Sequence, residues 1–373
     1  MAEIQLIDVR RRFTSPPSGG SPFASANQSY TGPVAALNGV TLTIADGKTC
    51  AVIGPSGCGK STLLRVISGL DTEYEGEVRY NGQEMRDVPP GERNIGMVFQ
   101  NYALYPHFHG DNNLRFFFRV HKAPDAEAEE RIRVTAEIMG VGFKELLQHK
   151  PGILSGGQQQ RLAIGRALVR SPQLFLFDEP LSNLDAKLRM QTRIEIKRLL
   201  NRFGITAVYV THDQEEAMAL GDQIAVMHGG RIEQVGSYAD LRAAPANTFV
   251  AGFLGRFPMN LLERVDASSA LRTLPAALPI PQDRPIIVGV WPEDLALNTG
   301  SSANVHLAGI VEHLEVDYSR RTQYVRVRTD AGPLTVADTA NLRLAEGERV
   351  TVEMPRERLF FFDAESGDVI RNA

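Results

Sequence analysis

Cysteine, tryptophan, long apolar runs and an excess of either charge are what this 373-residue sequence has little of. Its two cysteines, Cys50 and Cys58, stand eight positions apart, one in an apolar run and one in a glycine-rich turn, so neither a disulfide framework nor a metal site is indicated. A reducing cytoplasm fits that usage. Forty Lys+Arg against forty-four Asp+Glu leave a formal charge of -4 without a long basic stripe, which argues against nucleic acid as the main partner. Apolar runs such as LFLF at 174–177 fall far short of the roughly 18 residues a spanning helix needs. Work at a membrane would then require docking on another chain. The opening MAEIQLIDVRRRF alternates apolar residues and then turns charged, unlike the apolar core of a signal peptide.

What is present points to a folded protein of more than one core. Hydrophobic residues at 43% and charged residues at 23% place the chain among globular proteins, and its length favours two domains. From residue 4 to about 236, β-rich runs alternate with helix-period segments, the pattern of an α/β domain on a largely parallel sheet. TCAVIG, IGMVFQ, QLFLFDEP and TAVYVTHD read as buried strands that end abruptly in polar residues, as strands with chemistry at their carboxyl ends do. Residues 101–153 interrupt the alternation as a helical insertion, and 14–33, rich in Pro, Gly and Ser, read as an exposed loop. In 186–203, Met190, Ile194, Ile196, Leu199, Leu200 and Phe203 fall mainly on one helical face, predicted to be core. The first domain is therefore placed at 1–236 and a link at 237–258. Short alternating strands over 259–373 predict a small β-barrel or sandwich.

Two stretches carry phosphate chemistry. GPSGCGKST (Gly54, Pro55, Ser56, Gly57, Cys58, Gly59, Lys60, Ser61, Thr62) follows a strand and opens a helix, the context that G-x-x-x-x-G-K-[ST] requires. Its glycines let amides turn onto a phosphate at a helix N-terminus, with Lys60 neutralising charge and Ser61 ligating Mg²⁺. LFLFDEP ends an apolar strand in two acids, costly to bury without metal and water: Asp178 for Mg²⁺, and Glu179 to orient and deprotonate the attacking water. Together they specify a nucleoside triphosphatase without specifying which kind.

LSGGQQQR (154–161) narrows it. Ser155 sits where an N-cap belongs, and Gly156 and Gly157, for which packing gives no reason, bare the amides of a second anion-binding helix start. The stretch resembles the signature motif of ABC ATPases. VFQNYALYPH, SNLDA and THDQEEAM resemble the rest of that family's set in order and spacing, over most of 1–258. The resemblance implies an ABC-type nucleotide-binding domain with a helical subdomain at 101–153. It also implies Gln100 as the Q-loop residue touching γ-phosphate and metal, Asp185 in the D-loop, and His212 as the switch histidine that holds Glu179 and the water. ATP would lie between two copies in a head-to-tail homodimer, the signature (Ser155, Gly156, Gly157, Gln158) of one closing on the phosphate loop of the other. For the aromatic residue that stacks on adenine there are two candidates: Phe13 by distance from the N-terminus, and Tyr30, slightly favoured, by distance from ALNGV.

The tail, through PMNLLE, VGVWPEDL, GIVEHLEVD and RVTVEMPRERLFFFDAESGDVI, resembles the OB-type regulatory domain called TOBE found in importers of the maltose and glycerol-phosphate type. Trp291 stands where relatives commonly have arginine. In QNYALYPHFHGDNNLRFFF, the residues Phe108, Leu114 and Phe116 read either as facing a permease or as local core. The resemblance implies the ATP-hydrolysing subunit of a bacterial importer for a carbohydrate or related solute, peripheral on the cytoplasmic face of the membrane. Its partners would be two transmembrane permease subunits, indirectly an extracytoplasmic solute-binding protein, and a regulator of the tail. An importer of polyamine, iron or sulfate is the alternative. A non-transport ABC ATPase fits less well, because neither long coiled coils nor a second ATPase domain is present.

Overall fold

The computed structural model describes residues 2–14, 34–265, 285–298, 305–319, 321–339 and 343–370. Tyr30 and almost all of the 14–33 stretch lie outside them. The chain divides into Met1–Tyr238 and Ala239–Ala373.

The first unit opens with β1 (Ile4–Phe13), β2 (Val34–Ile44), β3 (Thr49–Ile53), α1 (Lys60–Ser68), β4 (Glu75–Tyr80), β5 (Gln83–Glu84) and β6 (Ile95–Val98). The insertion follows as α2 (Gly110–Val120), α3 (Asp125–Met139) and α4 (Phe143–Leu147). Then come α5 (Gly156–Leu168), β7 (Leu174–Asp178), α6 (Ala186–Phe203), β8 (Thr206–Val210), α7 (Gln214–Leu220), β9 (Gln223–His228) and β10 (Arg231–Gly236).

Two sheets result. The six-stranded sheet, in order β10-β9-β3-β8-β7-β6, is parallel except for β10. Every residue of TCAVI and TAVYV is buried, which is why both read as unbroken apolar runs. The second sheet, β2-β1-β4-β5, is antiparallel and was not expected. One apolar cluster joins Ile4, Leu6 and Val78 of this sheet to Val52 and Val208 of the other through Leu63, Leu64 and Ile67 of α1.

Arg93 fixes the far end of α1. It is fully buried, and its guanidinium donates to carbonyls of Val88 (2.9 Å), Met85 (2.5 Å), Val66 (3.3 Å) and Ile67 (2.8 Å). The last two are at the negative end of the helix, so a cation is held there by peptide dipoles.

The insertion has its own core of Leu114, Phe118, Ile132, Phe143, Leu146 and Leu162. Helix α6 departs from its expected burial: Ile196 and Leu200 are buried, whereas Met190 (52% exposed) and Ile194 (47%) face outward. Those two lie early in α6, where Arg189 and Arg193 turn toward α7.

The second unit carries α8 (Tyr238–Ala243) and α9 (Thr248–Phe253) where a link was expected. It continues with β11 (Asn260–Val265), β12 (Ile286–Val290), β13 (Ala296–Leu297), β14 (Val305–Asp317), β15 (Thr322–Thr329), β16 (Gly332–Asp338), β17 (Arg349–Met354) and β18 (Phe360–Asp363). Two antiparallel sheets, β11-β12-β18 and β13-β17-β14-β15-β16, share a core that includes Val288, Val327, Val352 and Phe361. Trp291 is a packing residue here, 4% exposed, with its indole N–H donating to the Arg242 carbonyl at 3.2 Å.

Replacing Arg93 by methionine removes four charge-assisted hydrogen bonds from a buried site, although Val66, Ile67 and Met85 still accept from Gly69 N–H, Tyr80 Oη and Val88 N–H, so Arg93→Met is expected to destabilise the first unit by about 2–4 kcal/mol. Denaturant unfolding followed in that unit measures it, and an unchanged midpoint would show the guanidinium to be dispensable.

Candidate nucleotide site

Four adjacent strands, β3, β8, β7 and β6, run parallel, so the residues after them emerge at one edge of the sheet. They deliver the phosphate loop, His212, Asp178 with Glu179, and Gln100.

The loop after β3 keeps Pro55, Ser56 and Gly57 exposed, with Gly54, Cys58 and Lys60 buried. Gly59 has φ 108°, and a Cβ there would fall 2.2 Å from the carbonyl of Ala36 on β2, so only glycine fits. Beside Gly57 there is open space. Lys60 Nζ donates to the carbonyls of Gly54 (2.9 Å) and Pro55 (3.0 Å), which folds the ammonium back over the loop mouth. Burial pushes the Cys58 thiol upward despite the nearby Lys60 charge, so it is a packed group. Thr62 follows Ser61 in the first turn of α1 and is half-buried.

Ser61 Oγ donates to Asp178 Oδ1 at 3.2 Å, joining the start of α1 to the end of β7. Burial raises the Asp178 carboxyl above its ordinary range, the Ser61 hydrogen bond opposes this, and the neighbouring Glu179 charge adds to it. Glu179 adopts φ 45°, a left-handed conformation that costs a non-glycine residue about 1–3 kcal/mol. It is held there by its N–H to the Val210 carbonyl (3.0 Å) and by Ser182 Oγ donating to its own carbonyl (2.9 Å). The result places Glu179 Oε2 3.0 Å from His212 Nδ1.

Gln100 is exposed, and its carbonyl accepts from Asn183 Nδ2 at 2.9 Å, a tie between the segment after β6 and the D-loop. Arg166 of α5 donates to the Ala103 carbonyl at 2.6 Å. Asp185 caps α6, accepting from Leu188 N–H at 3.0 Å.

Residues 155–158 form a capping box. Ser155 Oγ accepts from Gln158 N–H at 3.4 Å and Gln158 Oε1 accepts from Ser155 N–H at 2.9 Å. The expectation that packing gives no reason for the glycines is corrected: a Cβ on Gly157 would meet Leu188 at 2.7 Å. Glycine there brings α5 against α6. Among the described residues, no hydrogen bond or ion pair joins 154–158 to the phosphate loop.

Phe13 is half-buried at the end of β1, paired with Val34 two residues from Ala36, and Arg11 lies 4.4 Å over its ring. Between the insertion and the six-stranded sheet is a cleft of about 470 Å³, lined among others by Phe99, Tyr105, Phe116, Phe117, Arg166 and Arg170. It divides the apolar trio: Leu114 is core, Phe116 lines the cleft, and Phe108 packs on Tyr105 and Phe116 at 5.7 and 6.0 Å between ring centroids. Sequence reasoning passed over Asn183, Arg166 and Arg189. Lone polar residues in helices and turns carry no local signal of the backbone they reach.

The family described as ABC transporter matches residues 37–182, and the TOBE domain matches 288–362. The sn-glycerol-3-phosphate import ATP-binding protein UgpC 2 of Rhizobium johnstonii is 41% identical over 98% of this chain and 99% of its own. A UgpC protein of Rhodopseudomonas palustris is 44% identical over 91% and 96%. A solved dimeric ATP-binding cassette in a post-hydrolysis state with ADP and Pi superposes at a TM-score of 0.52, with 30% identity over 63% of this chain and 98% of that one.

Gly59→Ala forces a side chain into the Ala36 carbonyl, and is expected to weaken nucleotide binding about tenfold or more. Titration with a fluorescent ATP analogue reads this out, and unaltered affinity would mean the loop tolerates the shift.

Proposed function

Because this chain belongs to the ATP-binding subunits of ABC importers, which bind and hydrolyse ATP to drive solute uptake, we propose that it works as a homodimer whose sites are shared. In each, the phosphate loop of one copy faces Ser155, Gly156, Gly157 and Gln158 of the other. One observation carries this reading. Each chain presents two anion-binding helix starts, α1 and α5, with no bond between them among the described residues. Lys60 and the loop amides bind the β- and γ-phosphates, Phe13 is the described candidate beside adenine, and Asp185 lies at the seam.

Glu179 orients and deprotonates water. With Glu179 as acceptor, His212 Nδ1 is the donor, and contact with a γ-phosphate oxygen would require Nε2–H as a second donor, as the imidazolium supplies. The donor set suits Mg²⁺: Asp178 is a half-buried carboxylate whose side-chain donor, among the described residues, is the Ser61 hydroxyl. Among the described residues no three acids, histidines or cysteines are placed to hold a metal ion by themselves, so Ser61, Asp178 and Gln100 would share the ion with phosphate and water. Bound magnesium would neutralise phosphate charge.

No described helix is long and apolar enough to cross a membrane. We place the dimer peripherally on the cytoplasmic face, the aromatic cleft beside Phe116 docking one of two permease subunits. A solute-binding protein would act at a further remove, and a regulator on the tail. Relatives named for sn-glycerol-3-phosphate import favour a carbohydrate or phosphorylated polyol as cargo, over polyamine, iron or sulfate.

Glu179→Gln is expected to keep ATP binding and to cut turnover on the order of a hundredfold or more, about 2.7 kcal/mol of barrier; near-normal phosphate release would refute the base. Ser155→Arg is expected to abolish hydrolysis without weakening ATP binding to a single subunit. Mixed with Lys60→Ala chains, it should regain activity at the one composite site where loop and signature are both intact. A mixture no more active than its components counts against the shared site.

A further inference from the structure

Arg189 lies in the first turn of α6, its N–H donating to the Asp185 carbonyl at 2.8 Å. Its guanidinium points three ways. Nη2 donates to the Leu184 carbonyl of the D-loop at 3.1 Å, Nη1 is 3.5 Å from Asp213 Oδ2, and Nε is 3.9 Å from Glu216 Oε1. The two carboxylates are tied into the backbone on either side of His212. Asp213 accepts from the N–H groups of Glu215 (2.8 Å) and Glu216 (3.2 Å), capping α7. Glu216, only 2% exposed, accepts from the hydroxyls of Tyr209 and Thr211, both at 2.9 Å. Thr211 Oγ1 in turn accepts from Asp213 N–H at 3.0 Å, so the residues on either side of His212 belong to one network.

We propose that Arg189 is a positioning residue that makes the place of the D-loop and the place of His212 depend on each other. A second copy pressing on Asp185 would thereby move His212 against Glu179. The physical drive is the Nε–H of Arg189, which is buried and makes no hydrogen bond in this structure. An unmet buried donor is unfavourable, so a small shift of α6 that brings it onto Glu216 is favoured. The inference rests on the shared-site reading above.

The test uses the full-length chain with MgATP. Arg189→Met is expected to lower kcat roughly tenfold or more while KM for ATP stays within about threefold and the thermal midpoint is little changed. Arg189→Lys, which keeps the charge but not the three-way fork, should restore part of that loss. Asp213→Asn, which still caps α7, should lower kcat as well, and combining it with Arg189→Met should not multiply the two losses. Wild-type kcat in both single variants, or losses that multiply, would overturn the proposal. If Arg189→Met does not fold, Asp213→Asn decides alone by the same kcat criterion. Glu179→Gln separates the two readings. Full activity in that variant removes the site itself, whereas an inactive Glu179→Gln beside normal Arg189→Met and Asp213→Asn removes only the role given to Arg189.

Discussion

The site in the first unit depends on holding two adjacent carboxylates, met by the Ser61 hydroxyl and by His212, at the end of a strand that is otherwise fully buried. Residues Leu174 to Phe177 are buried, and the next two residues are acids. Burial is the largest cause raising the Asp178 carboxyl, the Glu179 charge adds to it, and the Ser61 hydroxyl of α1 and the Lys60 charge oppose them. Such an arrangement is stable because the adjacent strand ends supply donors aimed at the same place: loop amides, Lys60 and His212.

The backbone strain at Glu179 follows from the same constraint. A carboxylate that must approach water and a phosphate cannot continue the strand, and its φ of 45° turns it out of line toward His212. The cost is offset by hydrogen bonds to β8 and to Ser182, which belong to the fold. The D-loop is linked in the same way, through Asn183 to Gln100 and through Arg189 to the segment around His212. Local hydrogen bonds thus tie together loops that come from four different strands.

Glycine serves two ends at the signature. Bare amides suit an anion, and the missing Cβ of Gly157 lets α5 touch Leu188 of α6. The helix start at Ser155 is therefore braced against α6 of its own chain. In the tail, by contrast, Trp291 is consumed by packing under Arg242, which lies 4.3 Å over its ring.

The sequence by itself determined the phosphate loop, the acid pair, the histidine and the α/β alternation. Each depends on contiguous residues, whose spacing fixes a strand end or a helix start before any distant contact forms. It also determined that the tail is β-rich, because alternation at period two is local. Only the tertiary structure decided that β1, β2, β4 and β5 form a separate antiparallel sheet, and that Met190 and Ile194 are exposed while Ile196 is buried. The same holds for Arg93, which has its partners on α1, and for Arg189, which reaches Asp213 and Glu216. Periodicity says which side of a helix is apolar but not what lies against it. A single charged side chain finds its partner through the folded path of the chain, so its role is set by distances in space that no local pattern encodes.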